Sequence, residues 1–297
     1  MTTGISRRSA LKILGAGAGA AAAAPAGARV ARAPRADDLG LLVDVTRCVG
    51  CRACMSRCRE ANGLTAEVAW VQGAPYDAPP DLDGQTLTVI RRWSDGHREG
   101  YVKAQCMHCA DPACVSVCMI GALHKEPRGV VGYDVSRCVG CRYCQVACPF
   151  GVPRFQWSSA TPRIVKCELC RHRYADGKGA ACAEACPREA VVFGPRAELL
   201  AEARRRLAAD PQAYAGGPGI YGEREGGGTA VVVLASVPAA ALGLPALGPE
   251  PAPALSETVQ HGIYQGFALP AALYAAVAFA TWRNRRRGPA SGKEGER

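Results

Sequence analysis

Sixteen cysteines fall into four tight groups of four, and no cysteine lies outside these groups. We number them quartets 1 to 4 in chain order. Their members are Cys48, Cys51, Cys54 and Cys58 in quartet 1; Cys106, Cys109, Cys114 and Cys118 in quartet 2; Cys138, Cys141, Cys144 and Cys148 in quartet 3; and Cys167, Cys170, Cys182 and Cys186 in quartet 4. Every quartet begins with the spacing C-x2-C and ends with C-x3-C. Thiols at such short intervals predict loops that curl around a bound group.

Quartets 1 and 3 have the full spacing C-x2-C-x2-C-x3-C, which is typical of bacterial 4Fe–4S ferredoxins. In that motif three thiolates bind one cluster and the fourth reaches the neighbouring cluster. Proline usually follows the last cysteine. It is present as Pro149 and Pro187, whereas Arg59 and Met119 replace it after quartets 1 and 2. No ligand is lost by these departures, so the sequence predicts that the sixteen cysteines bind four 4Fe–4S clusters.

Structural zinc sites and disulfides are the alternative uses of such cysteines. Zinc takes four ligands from two separated pairs, whereas quartets 1 and 3 each place four cysteines within eleven residues. An even number of cysteines in an exported chain is compatible with disulfides. Disulfide frameworks, however, do not repeat two-residue intervals four times over. Both alternatives are separated from iron–sulfur clusters by iron and sulfide analysis.

An internal repeat relates the two halves of the cysteine-rich region. The sequence RCVGCR at residues 47–52 recurs at residues 137–142, and quartets 2 and 4 share a widened central gap. Short strands are expected at residues 41–45, 130–134, 163–166 and 190–193, with helical turns after the last cysteine of each quartet. This pattern predicts an α+β fold of tandem ferredoxin-like modules.

The N-terminal segment has the features of a twin-arginine export signal. Arg7 and Arg8 are followed by Lys12 and by an apolar stretch, rich in alanine and glycine, over residues 13–24. A chance basic start before a low-complexity tail is the alternative. Because twin-arginine export carries folded proteins, clusters inserted in the cytoplasm would be compatible with it.

Residues 263–282 carry no charge and are long enough to cross the roughly 30 Å hydrocarbon core as a helix. Arg283 and three further arginines at 285–287 follow directly, so the positive-inside rule makes this end cytoplasmic and the body periplasmic. A buried core helix is the alternative. The two basic ends account for the whole net charge of +10, and residues 37–282 are neutral. The charge therefore requires no nucleic-acid partner.

We divide the chain into five parts on this basis. They are a signal region at 1–35, the four-cluster domain at 37–215, a linker and partner-docking segment at 216–260, a transmembrane anchor at 261–283 and a basic cytoplasmic tail at 284–297. Within these parts we expect a surface hairpin or plain connector at 72–93, an amphipathic helix at 198–209 with Arg204–Arg206 on its solvent side, and a strand at 229–237. His108 and His172 lie inside cysteine loops, where they either form hydrogen bonds near a cluster or are simply exposed.

The quartets, their order and their gaps resemble the four-cluster iron–sulfur subunits of membrane-bound respiratory oxidoreductases. The resemblance covers residues 41–282. The segments IYGE at 220–223 and LGLP at 242–245 are similar to the hydrogenase-2 and formate dehydrogenase-N members. A twin-arginine signal on this chain is most similar to the hydrogenase-2 electron-transfer subunit.

The resemblance implies that the quartets share clusters in crossed pairs, which the tandem repeat alone does not indicate. The implied ligand sets are Cys48, Cys51, Cys54 with Cys186; Cys167, Cys170, Cys182 with Cys58; Cys106, Cys109, Cys114 with Cys148; and Cys138, Cys141, Cys144 with Cys118.

The resemblance also implies two kinds of partner. One is a catalytic subunit with nickel–iron or molybdopterin chemistry, and the other is a multi-span membrane subunit that reacts with quinone. We therefore expect a non-catalytic, periplasmic, membrane-anchored subunit that relays electrons from a nickel–iron hydrogenase towards quinone. The same role beside a molybdopterin enzyme such as formate dehydrogenase is one alternative, and a zinc- or disulfide-stapled envelope protein is another.

Overall fold

The computed structural model describes residues 31–64, 81–94 and 96–286. Residues 1–30 and 287–297, with most of the expected export signal and cytoplasmic tail, lie outside the described residues, as do residues 72–80 of the expected hairpin. Residues 31–254 form one compact unit, and residues 255–286 belong to a second.

The described chain contains ten short strands and six α-helices. The strands are β1 (Leu39–Asp44), β2 (Thr88–Ser94), β3 (Glu99–Gln105), β4 (Leu123–Lys125), β5 (Val131–Tyr133), β6 (Arg154–Phe155), β7 (Ile164–Val165), β8 (Val191–Pro195), β9 (Ile220–Tyr221) and β10 (Val231–Leu234). The helices are α1 (Ala53–Ala61), α2 (Ala113–Ser116), α3 (Tyr143–Ala147), α4 (Ala181–Glu184), α5 (Arg196–Ala209) and α6 (Ala254–Arg286).

A four-stranded sheet in the order β8-β1-β10-β9 organises the larger unit. Strand β1 pairs antiparallel with β8 and parallel with β10, where Leu41 faces Val231. Successive side chains point to opposite faces of a strand. Accordingly Leu42 packs with α5, through Leu199 and Ala203, while Leu41 belongs to the core that contains many of the cysteines. The sheet therefore lies between α5 and the cysteine-rich region.

The expected strands at 41–45, 130–134, 163–166 and 190–193 correspond to β1, β5, β7 and β8. The expected position of the helical turns was wrong. Helices α1 to α4 contain the third cysteine of each quartet (Cys54, Cys114, Cys144 and Cys182) rather than following the fourth. Arg52 and Arg142, at φ 60° and 64°, reverse the chain directly before α1 and α3. The helix therefore starts within the quartet.

The prediction of a linker from residue 216 was also wrong, because this segment contributes β9 and β10 to the sheet. Every residue of β10 is buried, and β10 lies between β1 and β9. Gly40 permits this close pairing, since a Cβ atom there would lie 1.8 Å from the carbonyl oxygen of Ala230. A composition rich in glycine was misleading here because Gly226–Gly228 form a tight turn with positive φ angles.

The interpretation of residues 72–93 as a surface hairpin or connector does not hold for the described part. Strand β2 pairs antiparallel with β3 over seven residues, outside the expected segment. Val89, Ile90 and Trp93 are buried in the main core. The β2–β3 hairpin therefore packs against the cysteine-rich region.

Helix α6 is 33 residues long and exposes several large apolar side chains, among them Ile263, Phe267 and Val277. Within the described residues, no helix is both long and apolar enough to cross a membrane.

Candidate metal centres

The cysteine loops of quartets 1 and 3 have the same backbone conformation. Gly50 and Gly140 have φ angles of +70° and +71°, which the missing Cβ atom permits. The N–H of Gly140 donates to Cys138 Sγ at 3.4 Å, and the N–H of Gly50 forms a hydrogen bond with the Cys48 thiol. Backbone donors at the sulfur atoms are among the features that stabilise and tune iron–sulfur clusters.

Three cavities are each lined by four cysteines. Site A contains Cys48, Cys51, Cys54 and Cys186. Site B contains Cys58, Cys167, Cys170 and Cys182. Site C contains Cys118, Cys138, Cys141 and Cys144. In each site three thiols come from one quartet and the fourth comes from another quartet.

The remaining four cysteines form site D. The thiols of Cys106, Cys114 and Cys148 are electrostatic neighbours of Cys109, and Cys106 is also a neighbour of Cys148. Sites A to D thus have the same composition as the four ligand sets implied by the family resemblance. The crossing arises because α1 packs beside α4 and α2 beside α3.

The sites are arranged in the order A, B, D, C. Cys54 of site A interacts electrostatically with Cys182 of site B. Cys167 of site B interacts with Cys106 of site D. Cys114 of site D interacts with Cys144 of site C. Each site therefore has its nearest relation to the next one in this order.

Burial makes the thiols hard to ionise without a metal. Desolvation raises the pKa of Cys54, Cys58 and Cys114 to about 12, and the neighbouring thiols add to this effect. Iron must therefore displace protons when it binds, as is usual for thiolate ligands.

Among the described residues, no three or more His, Cys, Asp or Glu side chains are grouped so as to hold a single metal ion. A 4Fe–4S cluster is larger than an ion and is bound by four thiolates. Cavities lined by four cysteines, with N–H donors at the sulfur atoms, fit such a group.

The ends of this arrangement reach the surface. Cys51 of site A and Cys141 of site C are exposed, whereas the cysteines of sites B and D are buried or half-buried. Val139, next to Cys141, and Val146 are exposed apolar residues near site C, and Val49 is exposed near site A. Exposed apolar patches often mark contacts with other proteins.

The two loop histidines differ. His108 is fully buried, so the interpretation as an exposed loop residue is wrong for it. Its Nδ1 accepts the N–H of Val131 at 3.0 Å, and its Nε2 has no hydrogen-bond partner among the described protein atoms. His172 is exposed, and its Nε2 lies 2.8 Å from the carbonyl oxygen of Ala61.

Sequence reasoning missed several buried charged residues near the sites. Lys103, Lys166 and Arg206 are each less than a tenth exposed. No motif marks them, because each is an isolated basic residue whose environment depends on distant parts of the chain.

Comparison with known proteins agrees with this geometry. The family described as a 4Fe-4S dicluster domain matches residues 98–196. The sequence is 38% identical to the hydrogenase-2 operon protein HybA of Escherichia coli O157:H7, with 94% of this chain and 96% of that protein covered. It is 36% identical to the nitrate-inducible formate dehydrogenase iron-sulfur subunit of Escherichia coli K12, over 66% of this chain and 68% of the relative. It is 39% identical to a subunit of the anaerobic dimethyl sulfoxide reductase of the same strain, over 54% and 75%. The protein therefore belongs to the family of 4Fe–4S electron-transfer subunits of respiratory oxidoreductases.

Proposed function

We propose that this chain is a wire of four 4Fe–4S clusters that connects a catalytic subunit to a quinone-reactive membrane subunit. The main support is the continuous order of sites A, B, D and C, with one exposed cysteine at each end. When bound, each cluster accepts and donates one electron. The protein holds the clusters in sequence and shields the two inner ones from water.

The proposed ligands are the sixteen cysteines in the four sites described above. Each site would bind one cluster through three thiolates of one quartet and one thiolate of its paired quartet. The cavities lined by four thiols and the N–H donors at the sulfur atoms support this assignment. No residue of this chain is proposed to act on an organic substrate.

A nickel–iron hydrogenase is the proposed catalytic partner. The support is the high coverage of the hydrogenase-2 operon protein, of which 96% is matched. A molybdopterin enzyme such as formate dehydrogenase is the second candidate, favoured by the matched iron-sulfur subunit of that enzyme.

The proposed location is the periplasmic face of the cytoplasmic membrane, with α6 as the anchor. The support is the uncharged sequence at 263–282, the arginines that follow it, and the paired Arg7 and Arg8 near the N-terminus. These features give the same orientation independently.

Iron analysis and activity measurements test the proposal. The purified protein should contain about sixteen irons, four for each cluster. In the complete complex, Cys141→Ser should slow electron transfer to quinone while leaving hydrogen oxidation with an artificial dye largely intact, so the dye reaction serves as the control. Equal loss of both activities would mean that the chain holds the complex together rather than conducting electrons. Co-purification of a molybdopterin subunit would contradict the hydrogenase assignment.

A further inference from the structure

Lys103 places a positive charge inside the cysteine-rich core. It lies in β3 and is only 5% exposed. Its Nζ donates a hydrogen bond to Thr88 Oγ1 at 2.6 Å. In the part of the chain that the structure describes, no carboxylate forms an ion pair with this ammonium group.

The ammonium group faces the cysteines of two sites. Lys103 lines the cavity of site B together with Cys58, Cys167 and Cys182. Burial acts to lower the pKa of Lys103, but the thiolate charges of Cys182 and Cys54 raise it further, so that the net shift is upward. The cation therefore interacts with site B and, through Cys54, with site A.

A buried ammonium group is expensive to desolvate unless an opposite charge compensates for it. A cluster bound by four thiolates is anionic, and it becomes more negative on reduction. The four cysteines of site B, with an anionic cluster bound to them, would supply the missing counter-charge. A fixed cation at this place stabilises the reduced cluster more than the oxidised one.

We propose that Lys103 is the buried counter-charge shared by sites A and B, and that it raises the reduction potential of the site B cluster. This rests on the proposed ligand sets. Lys103 is thus an electrostatic determinant of electron flow rather than a ligand.

Sites C and D provide an internal reference. Site D has its own buried lysines: Lys166 Nζ lies 3.1 Å from the carbonyl oxygen of Cys167, and Lys125 Nζ lies 2.7 Å from that of Cys109. Lys166 acts on Cys114, whereas Lys103 acts on the cysteines of sites A and B. Neutralising Lys103 should therefore leave the clusters of sites C and D nearly unchanged.

The test is a redox titration of the complete complex, followed by electron paramagnetic resonance, with iron content measured on the same samples. In Lys103→Met the equilibrium constant for one-electron reduction of one cluster should fall at least tenfold, which is a shift of about 59 mV to more negative potential. Lys103→Arg should keep the potential near that of the wild type. Lys178→Met removes an exposed lysine and should change nothing.

The two proposals fail in different ways. A full iron content with unchanged potentials in Lys103→Met would overturn the role of Lys103 while leaving the four clusters intact. If Lys103→Met and Lys103→Gln both lose one cluster but Lys103→Arg retains it, the requirement for a positive charge is supported. Loss of the cluster in Lys103→Arg as well would overturn it. Fewer than four clusters in the wild type would instead contradict the proposed function.

Discussion

Arg206 and Asp44 form a buried ion pair, with Nη1 of Arg206 3.0 Å from Oδ2 of Asp44. Asp44 ends β1, four residues before Cys48, and also accepts a hydrogen bond from the Tyr214 hydroxyl at 2.8 Å. Arg206 also donates to the carbonyl oxygen of Glu189, 3.1 Å away and three residues beyond Cys186. The pair therefore connects α5 to both chain segments that bring cysteines to site A.

Arg206→Met should strongly destabilise the protein, because it leaves Asp44 buried without its cationic partner. Breaking a buried ion pair costs about 3–5 kcal/mol, and at roughly 2–4 °C per kcal/mol this is a fall of roughly 6–20 °C in thermal midpoint. The midpoint is followed through the loss of iron–sulfur absorbance of the full chain.

Arg205→Met is the matched control for this prediction. Arg205 lies on the same helix, but its side chain is 77% exposed. Exposed ion pairs contribute about 0–1 kcal/mol, so its midpoint should stay close to that of the wild type. Equal effects of the two substitutions would show that the buried pair is not what stabilises this region.

Glu202 should make stability depend on pH. Its Oε1 lies 2.6 Å from Nε of Arg206. Slight desolvation acts to raise the pKa of Glu202, but hydrogen bonds from Arg206 and Arg205 outweigh it and lower the pKa. Since the folded pKa is depressed, this contribution is fully present above the unfolded value of about 4.3 and disappears as pH falls through the lower folded value.

The difference in thermal midpoint between wild type and Glu202→Gln should therefore be constant between pH 7 and 5.5 and shrink as the pH falls below about 4.3. We expect a contribution of at most about 1 kcal/mol, because the ion pairs are partly exposed. Glu198→Gln, at an exposed position of the same helix, is the control. A difference that grows on acidification would contradict the ion-pair explanation.

Gly40→Ala should disrupt the pairing of β1 with β10. The new Cβ atom would lie 1.8 Å from the carbonyl oxygen of Ala230, which is backbone and has little freedom to move away. Overpacking of this kind typically costs about 1–3 kcal/mol, and occasionally more. Gly248→Ala is the control, because its Cβ atom would meet no atom within 4 Å. Equal stability of the two variants would show that β10 is not an essential part of the sheet.

The cysteine spacing allowed the sites to be predicted well from local sequence. The repeated RCVGCR segments predicted loops with glycine at equivalent places, and Gly50 and Gly140 have nearly equal φ angles. This part of the fold is local, since the second cysteine of a quartet lies only three residues from the first. Local sequence is sufficient to define such a loop.

The parts that could not be predicted depend on contacts between distant residues. Arg206 was expected on the solvent side of its helix, but its partner Asp44 is 162 residues away. Strand β10 finds its place between β1 and β9 only once the larger unit has folded. The charge of Lys103 is likewise explained only by cysteines from quartets 1 and 4, which meet beside β3.

The crossed ligand sets are the central claim, and the most direct test compares single cysteine variants. Electron paramagnetic resonance of Cys54→Ser, Cys182→Ser and Cys186→Ser identifies which cluster signal each substitution alters. Because Cys186 lies in site A and Cys182 in site B, Cys186→Ser should alter the same signal as Cys54→Ser and leave the signal altered by Cys182→Ser intact. If Cys186→Ser instead altered the same cluster as Cys182→Ser, each quartet would bind its own cluster and the crossed arrangement would be wrong.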